Sequence, residues 1–390
     1  MPTIQNKNKI IRITTVPLSL SGLLQGQLRF MSQYFHVLGV SSKGKSNELA
    51  QVTRLEGIPT FAVEMTRKIT PFKDLVAVWK LYKLFKKEKP HIVHSHTPKA
   101  GTLSMFAAKL AGVPHRLHTI AGLPLLEATG AKRWLLNTVE KFTYACATKI
   151  YPNSYGLKAI ILEQNFTFKE KLKVIAKGSS NGIDTSYFDP HLNIDLTTKN
   201  NLKKQLNIAE TDFVFVFMGR LVGDKGVNEL ILAFNRLCEK YENIKLLLVG
   251  TYESELDPLN EEVLAIIKTN NFIISTGWID DVLPYYAIAN ALAFPSYREG
   301  FPNVVMQAAA MELPCIVTDI NGCNEIIKHE ETGIIIPVKN ELALYNAMEF
   351  ILNNKAFAKN MGIKSRVFIK ENFERQVVWN ALLAEYNNLK

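Results

Sequence analysis

Short apolar, β-branched runs alternate with longer stretches of helical period along almost the whole chain. IIRITTV (10–16), FHVLGVSS (35–42), IPTFAVEM (58–65), HIVHSH (91–96) and HRLHTI (115–120) read as strands. Helices are predicted near Leu23–Tyr34 and over 74–89, 97–112 and about 131–146. The stretch DLVAVWKLYKLFKKEK (74–89) has apolar residues at helical spacing and lysines on the other face; Pro90 stops it, and Gly112 suits the C-cap of the next helix. The pattern restarts at DFVFVFMGRL (212–221), a buried strand that ends in a glycine loop. It continues with a helix over 227–241, strand IKLLLVG (244–250), a helix around 260–269, strand NFIISTGW (271–278) and a short helix over 281–289. ALAFPS (291–296), a helix from about 303, PCIVTD (314–319) and GIIIPV (333–338) complete it. Strands separated by helices of this length imply parallel βαβ units, and their restart implies two doubly wound α/β domains. Polar segment 184–211 is the expected junction. The expected domains are 1–183 and 184–372, with a final amphipathic helix at 373–390 able to pack on either.

Length agrees with two domains, since 390 residues exceed one ordinary core. With 47% apolar and 21% charged residues, the chain can bury large cores and is not disordered. The four cysteines are dispersed and form no CxxC pair, which suits buried thiols in a reducing compartment. No apolar run reaches the length of a secretory h-region near the start, or of a spanning helix anywhere. The expectation is a cytoplasmic protein.

Charge is distributed unevenly. Residues 1–185 hold 27 Lys and Arg against 10 Asp and Glu, a balance of +17; the remaining 19 against 26 give −7. The basic half is expected to meet an anionic partner: a membrane surface, a diphosphate-bearing substrate or nucleic acid.

In doubly wound sheets, ligands bind beyond the carboxyl ends of the strands. The loop GRLVGDKG (219–226) is there, and Arg220 and Lys225 are placed to neutralise a diphosphate. So is PSYREGFPNVVMQAAAMELP (295–314), where Glu299 precedes a Gly-Phe-Pro turn and Asn303 opens a helix whose first amides form a phosphate site. A carboxylate beside such amides suits hydroxyl hydrogen bonds, because phosphate would repel it. That points to ribose or a transferred sugar. Gln307, eight residues on, is both donor and acceptor.

Together these loops resemble the donor-site motifs of family 4 glycosyltransferases. TTVPLSLSGLLQGQLRF, MTRKITPFKDL, HSHTPKAGTLSMFAAKLAGVPHRLHTIAGLPLLEATG and KGSSNGID extend the resemblance over almost the whole chain. It is nearest the bacterial branch that acts on undecaprenyl-diphosphate-linked sugars in capsule, lipopolysaccharide O-antigen or glycoprotein glycan assembly. The resemblance implies the GT-B fold, two Rossmann-like domains facing across a cleft, with acceptor bound by the first and nucleotide-sugar by the second. It implies a metal-independent, retaining enzyme with no cofactor, taking a HexNAc or hexose from a UDP-sugar to an undecaprenyl-diphosphate-linked saccharide. The setting it implies is the inner face of the cytoplasmic membrane, with no nucleic-acid partner.

By position, it assigns Gly219, Arg220 and Lys225 to the donor diphosphate. Glu299 goes to the donor sugar, and Gly300, Phe301, Pro302, Asn303 and Val304 to sugar and phosphate. Gly277, Trp278 and Ile279 fall where the base packs, and Gln307 where the family usually has a second Glu. His118 matches a histidine near the donor sugar. Arg67, Asp74, His96 and Lys99 fall in acceptor-side motifs, and Gly178, Asn181 and Gly182 in an interdomain turn. Close relatives often carry a basic residue at Ala121. The mechanism implied is a front-face substitution in which the departing phosphate deprotonates the acceptor. No DxD-type motif ends a strand, and Asp280 and Asp281 read as helix caps.

Five of the eight histidines lie in 91–118, and His94 and His96 share a strand face; with no acid or cysteine nearby, a strand end entering a cleft explains them better than a metal. Trp79, Tyr82 and Phe85 read either as a core stripe beneath solvated lysines or as part of an anionic-lipid surface, where each basic residue contributes about 1 kcal/mol. A nucleotide-sugar 2-epimerase of the same architecture and a basic nucleic-acid-binding protein are the rival readings. The first should place acids and histidines for proton abstraction in the cleft, whereas the REGFP and GRLVGDKG pair favours transfer, and the second lacks an RNP or helix-turn-helix signal.

Overall fold

The computed structural model describes residues 7–66, 70–123, 125, 128–253 and 257–389. It divides into two compact units: Met1–Gly182 with Gln376–Lys390, and Ile183–Arg375.

The first unit is built on six parallel strands: β1 (Lys9–Ile13), β2 (His36–Ser41), β3 (Thr60–Ala62), β4 (Ile92–Ser95), β5 (His115–Ile120) and β6 (Lys149–Pro152), in the order β3-β2-β1-β4-β5-β6. The second carries β7 (Phe213–Met218), β8 (Ile244–Val249), β9 (Ile273–Gly277), β10 (Ala291–Phe294), β11 (Cys315–Thr318) and β12 (Gly333–Ile336), ordered β12-β11-β10-β7-β8-β9. Renumbered from its own first strand, the second order equals the first. Both are Rossmann sheets, and each reverses direction once, at β1/β4 and at β7/β10.

Apolar residues cover both faces of the first sheet. One face buries Ile11, Val93 and Val40 beneath α4 (Pro71–Glu88), α5 (Pro98–Ala111) and α6 (Gly130–Cys146). The other buries Ile10, Ile92 and Leu117 with α1 (Pro17–Leu23), α2 (Gln27–Ser32) and the terminal helix α16 (Arg375–Asn387). In the second unit, β7 is buried at every position, with α9 (Val227–Cys238), α12 (Asn303–Ala310) and α14 (Glu341–Asn353) packed in the same core.

Several expectations need correcting. Of the helix expected over 23–34, only Gln27–Ser32 forms, after a left-handed turn at Gly26 (φ 76°); a separate helix, Pro17–Leu23, ends where the expected one begins. The strand expected over 58–65 pairs only through Thr60–Ala62. Segment 184–211 contains a helix, Leu196–Gln205, with no buried residue, so burial periodicity leaves no mark on it. Trp79, Tyr82 and Phe85 do not share a face, because a spacing of six residues turns about 120° away at about 100° per residue. Phe85 is in the core, Tyr82 is partly buried, and Trp79 is 55% exposed.

The carboxylate of Glu385 anchors the returning α16. Its side chain, only 2% exposed, takes Lys149 at 3.0 Å, Lys173 and the Tyr151 hydroxyl at 3.2 Å. Burial by itself raises this carboxyl's pKa, but the bonds from Lys173 and Lys149 outweigh it and hold the value below the ordinary 4.5. A depressed folded pKa contributes stability above the unfolded value, and that stability is lost as pH falls through the folded one. We expect Glu385→Gln to lower stability by about 1–3 kcal/mol at neutral pH. The loss should shrink below pH 4.5. Urea unfolding across that range checks it.

Candidate active site

In the second unit, the direction reversal places the ends of β7 and β10 side by side. The loops after them, 219–226 and 295–302, therefore meet. Lys225 reaches Glu299, Nζ to Oε1, at 2.5 Å, and the Ser296 hydroxyl donates to the same oxygen at 3.0 Å. Both side chains are largely buried, at 14% and 17% exposed. Among the described residues no group bonds Glu299 Oε2, so this oxygen can accept from a ligand.

Two glycines make this meeting possible. Gly226 is left-handed at φ 68°, and a Cβ there would lie 2.1 Å from the Pro295 carbonyl oxygen. Gly322, at φ 80°, leaves room for the Gly300 carbonyl, which a Cβ would approach to 2.4 Å. Asn321 donates its side-chain amide to the Glu299 carbonyl, and Thr318 its hydroxyl to that of Ser296, so the loop after β11 fixes the turn from behind. Arg298 pairs with Asp224 at 2.7 Å, and the Tyr297 amide donates to the Asp224 carbonyl at 2.9 Å. Ser296, Asn321, Asp224 and Arg298 escaped the sequence reading. Arg298 and Ser296 flank the Glu299 motif and were within its reach, whereas Asn321 is distant in sequence.

Arg220, at the end of the same strand, is more exposed and pairs with Glu253 at 3.0 Å. Gly300, Phe301 and Pro302 are buried, with the Phe301 ring 5.1 Å from Phe373; Asn303 is exposed at the start of α12. The first amides of that helix lack internal partners, as at any helix start. Gln307 accepts the Tyr286 hydroxyl at 3.1 Å, which leaves its amide NH2 as the group to offer a ligand. Gly277 turns at φ 72° after a pairing irregularity in β8/β9. Beyond it, Trp278 is 70% exposed and donates to Asp280 at 2.9 Å, while Ile279 is partly buried. Asp281 accepts the Leu283 amide at 3.1 Å and the Tyr187 hydroxyl at 2.6 Å, but the N-cap of the helix Leu283–Ile288 is Val282, with no side-chain capping bond, so the expected capping by Asp280 or Asp281 does not occur.

The first unit presents a different chemistry. Arg12 is fully buried in β1; its Nε donates to His96 Nε2 at 3.1 Å, and Nη2 donates to Gln27 Oε1. A cation in the run KIIRI was the visible signal, and the sequence reading passed over it. His94 bonds Tyr386 at 2.5 Å and Thr119 at 2.8 Å. Burial pushes both imidazoles well below their ordinary pKa, with Arg12 adding to the effect, so both are neutral. Among the described residues, no three His, Cys, Asp or Glu side chains gather to hold a metal ion. His118 bonds Ser95 at 2.9 Å and packs on Gly101; it is 3% exposed, and burial lowers its pKa to about 4. Lys99 pairs with Asp74, tying α5 to α4. Arg67 lies outside the described residues. Gly178 and Gly182 turn with positive φ, and Asn181 between them accepts from Gln27 at 3.0 Å and from Trp379 at 2.7 Å.

Comparison with known proteins agrees with this architecture. The family model described as glycosyl transferases group 1 matches residues 198–368, and that of the glycosyl transferase 4-like domain matches 36–178. The capsular polysaccharide biosynthesis glycosyltransferase CapM of Staphylococcus aureus is 33% identical over 385 residues, 97% of each chain. The UDP-Gal:alpha-D-GlcNAc-diphosphoundecaprenol alpha-1,3-galactosyltransferase of Escherichia coli is 29% identical over 91% of this chain and 90% of its own. A solved glycosyltransferase from Rickettsia africae superposes with a TM-score of 0.81 at 21% identity, over 98% of this chain and 99% of that one. With two Rossmann units, donor-type loops that meet in the second, and a relative matched end to end, the chain belongs to the family 4 glycosyltransferases of GT-B fold.

Proposed function

We propose that this enzyme moves a HexNAc or hexose from a UDP-sugar to an undecaprenyl-diphosphate-linked saccharide, with retention and without a metal, in capsule or lipopolysaccharide assembly. The observation that carries the reading is the Lys225–Glu299–Ser296 cluster beside the start of α12. It offers a cation and free amides to a diphosphate, and a fixed carboxylate oxygen to sugar hydroxyls. The names of the two relatives, one of capsule synthesis and one acting on a diphosphoundecaprenol-linked sugar, support the acceptor class.

In the proposed reaction, the bond from the anomeric carbon to the diphosphate breaks as the acceptor oxygen bonds the same face. The acceptor's proton passes to the leaving phosphate oxygen. Lys225, Arg220 and the helix amides stabilise charge on that phosphate, while Glu299 holds the sugar. No protein nucleophile takes part.

No helix among the described residues is long and apolar enough to cross a membrane. The basic first half supports peripheral attachment to the inner face of the cytoplasmic membrane.

A thermal-shift panel of UDP-, GDP- and dTDP-sugars tests the donor. The UDP-sugars should raise the melting temperature most, and the best of them should turn over with a polyprenyl-diphosphate sugar in excess EDTA, giving a product of unchanged anomeric configuration by NMR. Absence of any shift with UDP-sugars would end this reading.

A further inference from the structure

We infer that Asp257, in the loop after β8, is the positioning residue that aims Lys225 at Glu299, an inference that rests on the proposed donor site. Lys225 ends a single 3-10 turn, Gly223–Lys225. Amides at the start of such a turn have no partner within it and must find one outside. The position before the turn is Val222, whose side chain has no acceptor with which to cap it. Asp257 supplies what Val222 lacks. Its Oδ2 accepts the Asp224 amide at 2.5 Å, and its backbone carbonyl accepts the Gly223 amide at 3.2 Å.

The far side of the turn is held by the loop after β10. The Asp224 carbonyl accepts the Tyr297 amide at 2.9 Å, and the Asp224 carboxylate takes Arg298 at 2.7 Å. Both peptides that flank Asp224 are therefore fixed, one by Asp257 and one by Tyr297. Together they set the direction in which the next side chain, that of Lys225, leaves the backbone.

Asp257 is itself anchored. Leu259, two residues on, is buried in the core of the second unit, and the Asn260 amide donates to Asn228 Oδ1 on α9 at 3.0 Å. Glycine at 223 belongs to the same device, because a Cβ there would lie 3.0 Å from both carboxylate oxygens of Asp257 and crowd the cap. The cap needs an acceptor oxygen and not a charge, which a side-chain amide also provides.

A double-variant cycle on the full chain tests this, with kcat/KM read on the UDP-sugar that the thermal-shift panel selects. Asp257→Ala should lose at least about tenfold, whereas Asp257→Asn, which keeps an acceptor oxygen, should stay within about threefold of wild type. In the Lys225→Ala background, Asp257→Ala should cost less than about threefold more, because the turn then has no cation to aim. A cap that served the fold alone would cost the same in either background. Gly223→Ala gives the same cycle in a chain that keeps the carboxylate, so the test stands even where Asp257→Ala does not fold. It should lose at least about fivefold by itself and less than about twofold beside Lys225→Ala. A wild-type rate in Asp257→Ala, a loss in the asparagine variant as large as in the alanine one, or undiminished losses in the Lys225→Ala background would overturn the inference. A wild-type rate in Lys225→Ala alone would instead remove the proposed donor site, which separates the two failures.

Discussion

Lys225→Ala is expected to reduce kcat/KM about 100-fold, because it removes a cation from the place where the leaving diphosphate gathers charge. The loss has a second origin in the geometry. Lys225 and Ser296 converge on one oxygen of Glu299, so without the lysine the carboxylate loses the partner that aims its other oxygen. Glu299→Ala is expected to cost at least about tenfold for the complementary reason, the loss of a hydroxyl acceptor. Residues that act as one unit give non-additive losses. The double variant should therefore fall well short of the product of the two single effects. Steady-state kinetics on the three variants measures the coupling, and circular dichroism confirms that the second unit stays folded. Wild-type rates in both single variants would remove these residues from the site.

Gly226→Ala is expected to be at least as damaging to activity and far more so to stability. The left-handed backbone costs about 1–2 kcal/mol for a residue with a Cβ. The atom it would strike is the Pro295 carbonyl oxygen, a backbone group that no rotamer change can move aside. The strand-end loops must then separate, which takes Lys225 away from Glu299. We expect a loss of about 2–4 kcal/mol in unfolding free energy and at least about 100-fold in turnover. Denaturant titration and kinetics read the two separately. Unchanged stability would show that the loops do not need this close approach.

FVFVFMGR was readable as a buried strand running into a cationic loop, and REGFPN as a turn into a helix, because local periodicity and glycine placement mark both. The helix Leu196–Gln205 was not, since with nothing buried it has no apolar stripe to betray it. Neither were Glu48–Glu56 and Tyr155–Glu163, short helices that the strand-and-helix reading passed over. The family pattern marks His96 and His118 as site residues. The folded unit shows them buried, one against Arg12 and the other against Ser95 and Gly101.

By itself the sequence determined the class of fold, the two units, the family and the residue types of the donor loops, because each depends on patterns within about ten to thirty neighbouring positions. Only the tertiary structure decided that Lys225 and Glu299, seventy-four residues apart, share a hydrogen bond. It also decided that Asn321 braces their turn, and that the apolar residues of α4 split between core and solvent. The reason is physical: strand order sets which loop ends become neighbours, and burial depends on what packs above a helix. Neither quantity exists until the chain has closed on itself.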